Sequence, residues 1–468
     1  MAVSDVNAIK PDVTDLDFLM FLPLATTGER GDLVPCLAQS WEHSSGYREW
    51  TYHIRPHVRW HDGVAVTAHD VKFTLDLLGH PAVHEYVFDS VTVLDDATVR
   101  IRGGHGYQDD IVYYPKHLLE HLNPKQFWEW DFWTHPVGNG PFRFVRYVPE
   151  TMIEFEANPD YFRGKPKVNR VILKFSGKAG LTELLSGNAD IVPDAEPAQI
   201  PQVARDPRYR VYHHAGPGAL AIYWKCDYPL FSDARVRRAL TLAIDRRELL
   251  RLLNLPIDLP ITDGVFTARQ FRRRKLPEPL PYDPRQARAL LDAAGWRDRP
   301  GSGVREREGR PFRFTASVPD HSGYDRLAVY VQAMLRRVGV HMDIRVLDGA
   351  VMWTRLDGGD FVAAFMAHQP GPHEAQKRYF GRDNPTGYRN PEAIRLIDRA
   401  VATADPDELD RIYSALTEIF RADLPVTRLL PGTRTCFAHR RVRGLSTPFR
   451  AEPDTYMEEL WLEDRSDR

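Results

Sequence analysis

Cysteine is nearly absent. The three cysteines among 468 residues, Cys36, Cys226 and Cys436, are odd in number and widely separated, and they form no C-x-x-C pair. Neither a disulfide framework nor a cysteine-based zinc site is encoded. An excess of charge of either sign is missing too: 62 basic and 64 acidic residues leave a formal charge of −2. There is no global field to recruit a nucleic acid or an anionic membrane, and short basic runs such as Arg272 to Lys275 and Arg440–Arg441 read as solvated surface. No stretch approaches the run of about 18 apolar residues that a membrane span requires. The longest N-terminal apolar stretch, Phe18 to Leu24, follows an acidic segment, so the sequence as given carries no export signal. A Gly-rich phosphate loop, H-E-x-x-H and G-x-S-x-G are all lacking, as is a helix-turn-helix with a basic face. We expect no catalytic residues, no cofactor, no metal and no nucleic-acid partner.

What is present is length and alternation. A chain of this size exceeds a single hydrophobic core, so two or three lobes are expected. Helix starts are written in local chemistry. Thr67 with Asp70 forms a capping box before Val71, Phe73, Leu75 and Leu78, with Gly79 as the stop. Asp283-Pro284 sets an N-cap and a first-turn proline, and Gly295 closes that helix; Asn390-Pro391 and Asp405-Pro406 repeat the device. Two consecutive helices are predicted between Glu392 and Arg421. Strands are predicted at Trp50 to Arg55, Met152 to Ala157, Val171 to Phe175 and His341 to Leu347. The fold class is α/β or α+β, without fixed-period repeats or a disordered tail.

Four ordered segments carry a resemblance. The first is Pro35-Cys36-Leu37-Ala38-Gln39-Ser40-Trp41-Glu42, continuing through Thr51 to Arg55, Trp60-His61-Asp62-Gly63 and Val66 to Phe73. Next come Pro136-Val137-Gly138-Asn139-Gly140-Pro141-Phe142 with Asn158 to Phe162, and Phe231 to Leu240 with Ala243 to Arg246. Last is Tyr282-Asp283-Pro284 through Ala294-Gly295-Trp296. Together they resemble extracellular solute-binding protein family 5, the dipeptide, oligopeptide and nickel receptors of ABC transporters. Physically these residues read as scaffold: Trp41 and Trp60 as buried strand surface, Asp62-Gly63 as a hairpin turn, Asp233 and Asp245 as helix caps.

The resemblance implies an α/β clamshell of two lobes plus an additional lobe: lobe I from 1–23, 141–225 and 444–468, the extra lobe at 24–140, and the second ligand-binding lobe at 226–443. It implies a peptide or other small solute bound between lobes and passed to a membrane permease, with the closed state populated by the ligand's differential affinity. A monomer in the periplasm or outside the cell, membrane-associated through its transporter, follows. The alternative is a clamshell sensor or interaction protein that is not exported and takes no part in transport.

Ligand candidates are placed at lobe crossings. Tyr223, Trp224 and Lys225 stand at the expected crossing into the second lobe, where a Trp face beside a cation suits an anionic or aromatic ligand; a Trp packing the hinge is the competing reading. In the segment where peptide-binding members carry a Trp and an Asp-Pro pair, this chain has His368, Gln369, Pro370, Gly371, Pro372, His373 and Glu374. The anchoring Asp is absent, and Glu374 is near enough to stand in for it; a solvated connection is the competing reading of this loop. His53, His57 and His61 would share a strand face only if Pro56 introduced no turn, so these histidines read as surface or satisfied groups instead of a metal site.

One further expectation concerns the start. Only 33 residues precede Val34, and Ala8-Ile9-Lys10-Pro11 already looks like the turn that follows the opening strand in relatives. The strand that opens lobe I is therefore expected to be missing, leaving an unpaired sheet edge. A start site upstream of Met1 would account for that and for the absent export signal.

Overall fold

The computed structural model describes residues 2–4, 19–27, 33–83, 88–103, 111–193, 195–259, 261–263, 278–299, 301–320, 323–368, 373–403, 405–445 and 459–463. The chain forms two compact units. Unit 1 comprises Met1–Ala195, Gln199–His214 and Arg434–Arg468, and unit 2 comprises Ala215–Thr433 with Glu196–Ala198.

Unit 1 begins with strand β1 (Ala2–Ser4). A four-stranded antiparallel sheet follows, built from β2 (Ala38–His43), β3 (Glu49–Ile54), β4 (Ser90–Asp95) and β5 (Thr98–Arg102) in the order β2-β3-β5-β4. Helix α1 (Ala68–Leu78) lies between β3 and β4 in the chain. Its start has the predicted box: the Thr67 amide donates to Asp70 Oδ2 at 2.8 Å. Asp70 is buried and its other oxygen accepts from the Lys116 amide, so the cap also holds a later loop. The inward face of the sheet, with Trp50, Tyr52, Val99 and Ile101, packs with Val71 and Leu75 of α1 in one core. Trp60 is buried as expected, though outside a strand, and Trp41 is only partly buried. The turn at Gly63, with φ of +94°, carries the Arg59–Ala65 bridge.

The rest of unit 1 is a sheet from β6 (Phe142–Val148), β7 (Met152–Ala157), β8 (Arg170–Lys174) and β9 (Ile191–Val192). Strand β1 joins it. Ala2, Val3 and Ser4 pair in parallel with Ile172, Leu173 and Lys174, and Val3 pairs with Ile191 on the other side. The opening strand expected to be missing is thus present. Three residues are enough to fill the slot between β8 and β9, a length too short to register as a strand by hydrophobic periodicity.

The Pro-Val-Gly-Asn-Gly-Pro-Phe segment explains itself here. The Met20 carbonyl accepts from the amides of Asn139 at 2.8 Å and Gly140 at 2.7 Å, while Asn139 Oδ1 accepts from the Leu22 amide at 2.9 Å. The backbones approach so closely that a Cβ on Gly138 would lie 2.0 Å from the Met20 carbonyl oxygen. His61 completes the junction. Its Nε2 donates to the Gly140 carbonyl at 3.1 Å and its Nδ1 accepts from the Gly138 amide at 3.2 Å. Both ring nitrogens are engaged only in the neutral form, and burial, the largest cause, with Arg143 nearby, lowers the imidazole pKa to about 4.

Strand β10 (Tyr209–Trp224) passes from unit 1 into unit 2 at His214/Ala215. Unit 2 continues through α2 (Ala234–Leu242), α3 (Arg246–Leu252), α4 (Pro284–Ala293), β11 (Arg313–Pro319), α5 (Tyr324–Arg336), β12 (His341–Leu347), α6 (Gly349–Asp357), β13 (Ala363–His368) and α7 (His373–Phe380). Helices α8 (Pro391–Ala402) and α9 (Pro406–Asp423) then lead into β14 (Val426–His439). Its strands run in the order β12-β11-β13-β10-β14, with β11 parallel to β12 and β13, and β10 antiparallel to β13. Asp283 caps α4 by accepting from Arg285 and Gln286, Asn390 caps α8, and Asp405 caps α9, each with proline in the first turn. Trp296 after α4 is buried against Phe312, with ring centroids 4.4 Å apart. The return passage falls at Thr433/Arg434 within β14.

Two measurements test the unit 1 junction. Gly138→Ala should cost about 3 kcal/mol, because the added methyl forces backbone apart, whereas Gly46→Ala, with nothing within 4 Å, should leave the melting temperature near wild type. Acid titration tests His61. The unfolded chain takes up a proton on His61 below about pH 6.5 and the folded chain only near pH 4, so stability should fall as pH drops across that window. His61→Gln should flatten the slope between pH 6.5 and 4; an unchanged slope would show that the imidazole is not held neutral.

Candidate functional site

Strands β10 and β13 carry or flank all the predicted ligand residues, and their register decides which of them meet. Ala219 pairs with His368 and Trp224 with Ala363, in an unbroken antiparallel ladder. His368 therefore sits at the end of β13 that lies beside the part of β10 just inside unit 2. Tyr223, Trp224 and Lys225 lie at the opposite end, five rungs along the ladder, which is about 17 Å. The two predicted groups do not converge on one site. The division between the two compact units falls at His214/Ala215, before these three residues.

Tyr223 and Trp224 are core residues. Tyr223 is 2% exposed and packs against Tyr379 and Phe380; Trp224 is 0% exposed and packs against Phe231 and Phe314. Trp224 Nε1 donates to Thr427 Oγ1 at 2.9 Å, and that hydroxyl is 2.7 Å from Thr241 Oγ1. A central strand with both faces covered buries successive side chains alike, which is why neither ring faces solvent. In this fold both rings serve as packing, the competing reading for Trp224. Burial also drives the Tyr223 phenol well above its usual range.

Lys225 differs. Its Nζ donates to the Pro385 carbonyl at 2.8 Å, lies 3.6 Å from Asp227 Oδ1, and is 5.9 Å from the Phe361 ring centroid. It lines a cavity of about 450 Å³ in unit 2, together with Asp227, Tyr228, Ser317, Arg345 and Arg355 among others.

In the other group, β13 ends at His368 and α7 opens at His373, with Glu374 in its first turn. Gln369 lies outside the described residues, and so do the side chains of His368, His373 and Glu374. A turn at Pro56 separates the other predicted histidines: β3 stops at Ile54, before Pro56, and His57 has φ of +87°, so His53, His57 and His61 share no strand face. His53 faces Glu42, and His213 Nδ1 is 3.2 Å from Thr435 Oγ1. Among the described residues no group of three or more His, Cys, Asp or Glu side chains is gathered to hold a metal, and no helix is long and apolar enough to cross a membrane.

Sequence reasoning missed the charged network behind β10. Arg428 of β14 is 4% exposed and near Tyr223, and its guanidinium pKa is depressed to about 10, chiefly by burial. Arg246 forms a buried ion pair with Asp263 at 2.6 Å. The capping motif at Asp245 was legible; that the following arginine turns inward was not, because helical spacing alone does not distinguish a buried Arg from a surface one.

Trp224→Ala tests the packing assignment. Removing the ring should destabilise the protein by about 3–5 kcal/mol, with a lower urea midpoint. A variant of unchanged stability that loses ligand affinity would restore the ring to the ligand site.

The family model described as bacterial extracellular solute-binding proteins, family 5 Middle, matches residues 32–389. The oligopeptide-binding protein AppA of Bacillus subtilis is 25% identical over 443 residues, covering 89% of this chain and 81% of that protein. Among solved structures, the ABC transporter substrate-binding protein CtaP of Listeria monocytogenes superposes with a TM-score of 0.84 at 20% identity, covering 99% of each chain. NikZ of Campylobacter jejuni in complex with Ni(L-His) superposes with a TM-score of 0.78 at 23% identity, covering 98% of this chain and 99% of that one. These agreements in sequence and fold run through the motifs described above. The chain belongs to family 5 of the bacterial extracellular solute-binding proteins, the solute receptors of ABC importers.

Proposed function

We propose that this receptor takes a short peptide or a comparably small chelate, held on unit 2 by the segment from His368 to Glu374. One observation carries the reading: within a family 5 chain, β13 ends and α7 begins around this segment, opposite Ala219 where β10 has just entered unit 2. Loops at strand ends are where binding residues concentrate on a rigid scaffold. The chemistry fits a ligand with an ammonium group or hydrogen-bonding edges. Glu374 offers a carboxylate in place of the missing Asp, and His368, Gln369 and His373 offer imidazole and amide groups. The names of the similar proteins, an oligopeptide receptor and a Ni(L-His) complex, span this ligand class.

The same proposal has the chain acting outside the cytoplasm as a monomer that delivers its solute to permease subunits and transforms nothing. Native mass spectrometry of the purified protein should reveal a copurifying solute below about 1.5 kDa, since a cleft of the usual size encloses a ligand of that order at most. Glu374→Gln should weaken binding of that solute about tenfold without lowering the melting temperature. Steady cleavage of a peptide library, or a Glu374→Gln protein with undiminished affinity, would overturn the reading.

A further inference from the structure

The cavity at Lys225 lies at the end of the β10–β13 ladder opposite His368 and has no role in the proposal above. Its wall is formed by Thr315 and Ser317 of β11 and Arg345 of β12, where Ser317 and Arg345 are direct cross-strand partners. Three cations and two carboxylates line it. Arg355 is paired with Asp360 at 3.0 Å, and Lys225 lies beside Asp227 while donating to the Pro385 carbonyl. Those contacts account for both carboxylates. The Asp227 carboxylate lies against Gly387, where a Cβ would meet it at 2.2 Å.

The remaining cation is Arg345, on the edge strand β12. It is exposed, and among the described residues its guanidinium makes no ion pair or hydrogen bond. The hydroxyls of Thr315 and Ser317 likewise have no hydrogen-bond partner among the described residues, although Ser317 is only 6% exposed. An uncompensated guanidinium beside two unengaged hydroxyls presents five N–H donors and two rotatable O–H donors to one space. This set matches an oxyanion with two or more oxygens, to which Arg binds in a bidentate fork. Tyr228, 39% exposed, and Phe361 add apolar surface to the wall.

We propose that unit 2 holds a second binding site, distinct from the solute segment, for a small oxyanion, carboxylate or phosphate, gripped by Arg345, Thr315 and Ser317. Isothermal titration of the purified protein with inorganic phosphate and, separately, with citrate tests it, and the preferred anion assigns the headgroup. Saturable binding of at least one is expected, weakened tenfold or more in Arg345→Ala and in Thr315→Val. The second variant keeps every charge, so its loss is not a field effect. Arg326→Ala, an equal charge change at another exposed arginine, should bind as wild type does. If neither anion binds saturably, or if Arg326→Ala loses as much affinity as Arg345→Ala, the site is refuted. The outcome is independent of Glu374, since Glu374→Gln should leave anion affinity unchanged.

Discussion

Unit 2 depends on a buried cation that, among the described residues, has no carboxylate in contact. Arg237, on α2 and 4% exposed, donates its guanidinium to the carbonyls of Phe231 and Ser232 before that helix and of Asp423 and Leu424 at the end of α9. Helix ends leave carbonyls without intrahelical partners, and here one planar fork answers two chain segments about 190 residues apart. Leu424 takes the left-handed conformation, with φ of +47°, to turn α9 into β14. That turn costs energy for a residue with a Cβ, and the Arg237 bonds hold it. Asp423 accepts in addition from Tyr388 and Asn390, which draws in the start of α8. One side chain thus sets where α2, α8, α9 and β14 meet. Replacing it would strand buried carbonyls, a heavier loss than its hydrogen bonds alone.

What was legible in the sequence follows from how local each signal is. Caps are local: Asp283, Asn390 and Asp405, each followed by proline, marked their helices correctly because the bonding partners lie within three residues. Strands such as Met152–Ala157 and His341–Leu347 declared themselves through side-chain alternation and β-branching. The family, too, could be read from motif order. Long-range constraints were not legible. The reason for two glycines flanking Asn139 is the Met20 carbonyl, over a hundred residues away. The three-residue β1 has no period to detect, and only its parallel neighbours make it a strand.

The candidate site was less legible for the same reason. Tyr223-Trp224-Lys225 looked like an aromatic and cationic surface because sequence gives composition but not depth. In the fold, the first two residues fill opposite faces of a central strand, and only the third reaches a cavity. The register of β10 on β13 then separates Lys225 from the His368 segment, a separation set by hydrogen-bond pairing across 140 residues of chain. Nothing in the spacing of these residues along the chain encodes that distance.

The order of strands also has a consequence in time. Unit 2 is essentially one uninterrupted stretch, whereas unit 1 is assembled from segments on both sides of it, with β9 pairing to Phe437 and Ala438 near the far end of the chain. During synthesis, which delivers the N-terminal part first, β1 to β8 emerge early, yet the strand that flanks β9 is among the last to appear. Contacts between distant segments form only after the loop-closure entropy of everything between them has been met. Both units draw on β14, whose residues up to Thr433 belong to unit 2 and from Arg434 on to unit 1, so neither core is complete until that late strand has been made. The edge of β9 stays open until then.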